Sequence, residues 1–79
     1  MRTQYQFIEF VQLPPPTRPK RTTELWECRC LGGNILGKIE WKNTWRQYCF
    51  SPEDGTVFSR GCMEDLNDFI SQLTKARKK

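Results

Sequence analysis

The sequence predicts an α+β fold: a three- to five-strand antiparallel sheet wound as a meander, with one C-terminal α-helix packed on one face. Three observations carry this. The stretch Leu25 to Ser51 breaks into three β-type runs at two turn signals, Gly32-Gly33-Asn34 and Asn43-Thr44. Counting back from two-residue turns places Trp26, Ile39, Trp41, Tyr48 and Phe50 on one sheet face. Finally, Cys62, Leu66, Phe69, Ile70 and Leu73 recur at helical spacing, which makes one apolar stripe to close over that face.

Taken in order, residues 1–13 read as an N-terminal strand, from the aromatic and β-branched run QYQFIEFVQL over Gln4 to Leu13. Tyr5, Phe7, Val11 and Leu13 are expected on one side around Glu9, and Ile8 and Phe10 on the other. A strand apolar on both sides is buried twice or pairs with another chain, so a homodimer through this strand is a candidate. Residues 14–23 form a Pro-rich basic linker of polyproline type, in which Pro16, Pro19 and Arg21 have PxxP ligand spacing; a solvated spacer is the plainer reading. Residues 24–79 hold the meander and the helix, within a single domain overall.

In the expected register Trp26 faces Trp41, Cys28 faces Ile39, Ile39 faces Tyr48, Trp41 faces Arg46 and Gly37 faces Phe50. Glu27 and Glu40 then lie opposite each other among Arg29 and Lys38, where diagonal ion pairs explain them better than an acid-base pair does. Arg46 beside Trp41 reads as a cation-π support. Thr56-Val57-Phe58 could add a short edge strand. Ser59 reads as the helix N-cap, with Glu64 and Asp65 in the first turns and Lys75, Arg77, Lys78 and Lys79 at the end, as the helix dipole favours.

A chain of 79 residues forms one small core, burying about 60 to 65% of its unfolded surface. The net charge of +4 sits in the tails: Glu24, Glu27, Glu40, Glu53 and Asp54 balance Arg29, Lys38, Lys42, Arg46 and Arg60 across the sheet region. A neutral sheet is a weak footprint for nucleic acid. No secretion signal or membrane span is legible, so the chain is expected to act in the cytoplasm. There Cys28, Cys30, Cys49 and Cys62 read first as ordinary thiols, with a zinc site or two disulfides as the alternatives. The chain has no histidine, no phosphate-cradling glycine loop and no nucleophile elbow, so no catalytic residue, cofactor or metal site is assigned. An enzyme is not expected.

The run LGKIEWKNTWRQYCFSPEDGTVFSRGCMEDLNDFISQL, preceded by WECR, resembles a set of very short proteins from bacteriophages, prophages and other mobile elements. These share a tryptophan-led strand, an LG-I-W strand, a WRQY-F-P strand, a T-F turn and a closing helix of L-D-FI-L type. The resemblance covers about residues 25 to 73 and implies origin, and with it the cytoplasm of a bacterial host, rather than an activity. A looser likeness, of fold only, is to three-stranded DNA binders such as integrase arm-binding domains and plant AP2 domains.

The leading functional expectation is a non-enzymatic protein that binds a host protein and inhibits or redirects it, as counter-defence and host-takeover factors do. Its expected binding residues are Trp45, Arg29, Lys38, Leu36, Leu31 and Gln47, with Leu25 beside them, on the face turned away from the helix. The alternative is a DNA-binding module using the same face. Ranked below both is a sponge that captures a nucleotide signal.

Overall fold

The structure is a computed structural model that describes residues 1–14 and 23–77. Its elements are β1 (Ile8–Leu13), β2 (Leu25–Cys30), β3 (Ile35–Lys42), β4 (Gln47–Pro52) and α1 (Arg60–Arg77). The four strands form one antiparallel sheet in the order β1-β2-β3-β4, and α1 lies on one face, so the α+β meander is realised. The PxxP spacing at Pro16, Pro19 and Arg21 and most of the basic linker lie outside the described residues.

Both hairpin registers differ from expectation by two residues. Trp26 pairs with Ile39 and Cys28 with Gly37, while Ile39 pairs with Phe50, Trp41 with Tyr48 and Gly37 with Pro52. Each turn is longer than two residues. The first spans residues 31–34, with Gly33 at φ +97° and its N–H donating to the Cys30 carbonyl at 2.9 Å. The second spans residues 43–46, where the left-handed position falls on Arg46, at φ +56°, and not on Asn43. Because side chains alternate with period two, a shift of two residues leaves the side chains of residues 26–28, 37–42 and 47–50 on their expected faces. Glu27 thus meets Lys38 rather than Glu40, and Trp41 meets Tyr48 rather than Arg46.

Gly37 accounts for the fit of β4 against β3. A Cβ there would stand 2.5 Å from the Ser51 carbonyl oxygen and 2.6 Å from the Phe50 ring. The Phe50 ring therefore occupies the space a side chain at Gly37 would need, and Phe58 meets that ring edge-on at 5.2 Å. Phe58 acts here as packing in the connection to α1, which has no edge strand at residues 56–58. A bulge between Cys28 and Arg29 skips Leu36, so Arg29 pairs with Ile35. Leu36, expected on the open face, is half-buried against the core, and Ile35 is exposed instead.

The N-terminal stretch is not one strand. The chain reverses at Gln6-Phe7: the Tyr5 N–H donates to the Ile8 carbonyl and the Phe10 N–H to the Thr3 carbonyl, and Gln4 bridges Glu9. This tight hairpin sends Tyr5 into the core beside Ile8 and Phe10, away from Val11 and Leu13, and lays residues 3–5 along the outer edge of β1. The Tyr5 hydroxyl donates to Asp68 at 2.6 Å and accepts from the Gln72 amide at 2.9 Å, and the Arg2 guanidinium lies 4.3 Å over its ring. Gln72 also exchanges hydrogen bonds with both backbone groups of Arg2.

Helix α1 begins as read. The Ser59 hydroxyl accepts the Cys62 N–H at 3.2 Å, and its carbonyl accepts the Met63 N–H. No acid stands in the first turn: Glu64 and Asp65 lie further along, and Glu64 pairs with Arg60 at 3.4 Å on the exposed side. The stripe buries Leu66, Phe69 and Leu73 against Ile8, Phe10, Trp26, Cys28, Ile39 and Tyr48. Trp41 and Phe50 pack at the margin of this cluster rather than at its centre.

Three measurements follow. Phe69→Ala, at a fully buried side chain, should lower stability by about 3 to 5 kcal/mol in chemical denaturation, and Trp41→Ala by measurably less. Gly37→Ala should destabilise by about 1 to 3 kcal/mol, since backbone must move to admit the methyl; an unchanged denaturation midpoint would contradict the observed register.

The third concerns pH. Burial pushes the Cys28 thiol from 9.0 up to about 12, with Cys62 and Cys30 adding to the effect. Burial, then the bond to Asp68, pushes the Tyr5 hydroxyl from 10.0 up to about 12. The native state keeps both protons where the unfolded chain releases them, so stability is full below the unfolded values and falls as pH rises from 9 towards 12. The melting temperature should drop between about pH 9 and about pH 12, and Tyr5→Phe should remove the part that begins near the tyrosine's ordinary value of 10.0.

Candidate partner-binding face

With α1 on one side, no other described element lies over the far side of the sheet. Its rows follow from the pairing: Glu9, Arg29 and Ile35, then Val11, Glu27, Lys38 and Ser51, then Glu40 and Cys49, then Lys42 and Gln47, with Leu13 and Leu25 paired beside them. At its centre Glu27 is only 7% exposed, although no described element covers it. The neighbouring rows enclose it, and the Arg29 guanidinium grips one of its carboxylate oxygens through Nε and Nη2, both at 2.6 Å. Such a pair orients more than it stabilises, and removing one member would leave a buried charge alone. Further along, Lys42 lies 3.7 Å from Glu40.

The expected binding residues are divided by this geometry. Leu31 and Ile35 are exposed at the end of the face that carries the first turn, and Phe7 at the tip of the N-terminal hairpin stands at the same end. Trp45, 68% exposed, and Gln47 belong to the other end, beyond Lys42. The two groups are separated by the length of β3, roughly 23 Å over seven steps at about 3.3 Å. Arg29 shares the end row with Ile35, Lys38 lies in the next row inward, and Leu36 has left the face. One small ligand could not touch both ends, whereas a protein surface could.

Beside Trp45 an open groove of about 350 Å³ runs along β4, lined by Lys42, Thr44, Trp45, Cys49, Phe50 and Ser51. Phe50 belongs to the helix-side face and Cys49 to the open one, so the groove wraps around the edge of the sheet. Sequence reasoning missed both this edge groove and the Phe7, Leu31 and Ile35 grouping. The signal for the second lay in the hairpin at Gln6-Phe7, which the continuous apolar run concealed.

Among the described residues no group of three or more His, Cys, Asp or Glu is placed to hold a metal. All four cysteines are free thiols, with Cys28 buried and Cys49 half-buried on the open face. Among those residues, too, no helix is long and apolar enough to cross a membrane. No family model, curated protein or solved structure matches this chain.

Proposed function

We propose that this chain is a non-enzymatic binding protein of a phage or mobile element, which occludes a host protein in the bacterial cytoplasm through its uncovered sheet face. The observation that carries the reading is the exposure of Trp45 beside a groove, on a face where Arg29 and Lys42 are each paired with a carboxylate. An exposed indole with apolar neighbours and self-compensated charge is what protein interfaces use as an anchor. A phosphate backbone needs unpaired cations in a row, which favours the protein partner over DNA. The nucleotide sponge draws little support from the groove, whose lining carries a single cation, Lys42.

Capture of partners from host lysate by the tagged protein, with and without nuclease, tests the proposal. A single protein that survives nuclease supports it, and loss of all captured material after nuclease supports DNA. Against the captured protein, Trp45→Ala should weaken affinity by about 2 kcal/mol or more while shifting stability by less than about 1 kcal/mol. Lys38→Ala should leave the salt dependence nearly unchanged, whereas with DNA it would reduce the slope of log affinity against log salt by about 1. Arg29→Ala is unsuited to this comparison, because it strips the buried Glu27 of its partner.

A further inference from the structure

We propose that β4 is a homodimerisation edge, on which a second copy of this chain adds its own β4 antiparallel about a two-fold axis through Cys49. The edges of the sheet are unequal. Residues 3–5 already lie along β1, bonded at Ile8 and Phe10, whereas β4 ends the strand order with no further strand or backbone hydrogen bond on its outer side among the described residues.

The alternation of the ladder gives the direction of each backbone group on β4. The Glu53 N–H donates to the Leu36 carbonyl at 2.9 Å, so Ser51, Cys49 and Gln47 face β3 in turn, and Tyr48, Phe50 and Pro52 turn theirs outward. Pro52 has no N–H to offer, which blunts the edge at its end and confines pairing to Tyr48 and Phe50. A two-fold axis at Cys49 sets Tyr48 of one copy against Phe50 of the other, twice over, and those are the residues whose groups point out. A two-fold at Phe50 would set Tyr48 against Pro52, which lacks an N–H, and one at Tyr48 would set Phe50 against Arg46, which lies in the turn at φ +56°.

Charge and shape agree with the same register. It places Gln47 against Ser51 of the second copy and carries the Trp45-Arg46 turn towards Glu53 and Asp54 of that copy, so a cation meets two carboxylates across the junction. The groove lined by Trp45, Cys49, Phe50 and Ser51 is then the seat of the added strand. On the helix side Val57, 90% exposed next to the Phe58 that packs on Phe50, supplies apolar surface near the junction. The two uncovered faces join into one, with a Trp45 on either side of the seam. The dimer stands independently of what that face binds.

Cys49 reports on the register. It falls opposite its own copy at a non-hydrogen-bonded pair, where Cα atoms approach to about 4.5 Å, close enough for a disulfide. In a Cys30→Ser, Cys62→Ser variant, diamide should oxidise two Cys49 thiols to one intermolecular disulfide, taking up both hydrogens, and the covalent dimer should disappear on further Cys49→Ser substitution. Under reducing conditions, sedimentation velocity from micromolar to millimolar protein should show a reversible monomer-dimer equilibrium. Cys49→Lys, which sets two ammonium groups face to face, should weaken it roughly tenfold or more. A chain that stays monomeric throughout and gives no Cys49 cross-link would overturn the proposal, as would a dimer that Cys49→Lys leaves intact.

Discussion

The fold depends on one ring. Phe69 is fully buried, lies flat on Phe10 with centroids 4.0 Å apart, and meets Trp26 edge-on at 4.9 Å. Through these two contacts the helix is held to β1 and β2 at once, and a small domain has few other ways to fix a helix against a sheet. The polar contacts are arranged at the margin of this packing. The Trp26 indole N–H donates to Glu24 and the Glu24 N–H to the Tyr48 hydroxyl, each closing a part-buried donor, and the Trp41 indole N–H donates to Asn43 at the surface. No buried side-chain nitrogen or oxygen lacks a partner among the described residues.

The assignment of faces was legible because it depends only on the parity of the pattern. Trp26, Ile39 and Tyr48 came out buried and Trp45 exposed, from alternation alone. Register was not legible, because hydrophobicity is blind to slips of an even number of residues. What decides it is turn length and the Phe50 ring over Gly37, and neither is visible in a binary pattern. The N-terminal run misled for a related reason. Tyr5, Phe7, Ile8 and Phe10 suit a strand so well that nothing marked the reversal between them, since Gln6-Phe7 carries no glycine or asparagine.

For the candidate site, Trp45, Arg29, Lys38, Leu31 and Gln47 were legible as members of one face, since the face itself was. Their grouping was not. Leu36 moved inward because a bulge skips it, and bulges leave no mark in a period-two count. The Arg29-Glu27 pair also differs in kind from the diagonal pair expected: both residues are on one strand, two apart, and they order the middle of the surface from within. Any partner therefore meets a stiff, charge-compensated centre with apolar groups at either end, and complementarity there is a matter of shape more than of field.

The clasp between Arg2 and Gln72 links positions 70 residues apart through two hydrogen bonds and brings the beginning and the end of the described fold side by side. Topologically the domain is close to a ring. Its strands pair with sequence neighbours and need little loop closure, while the contact of Arg2, Tyr5 and Gln72 closes the longest loop in the molecule. The order of the strands is thus encoded by adjacency rather than by where the chain happens to be open. Joining the ends and opening the ring at the turn over residues 31–34 would leave every strand pairing and the Phe69 stack in place.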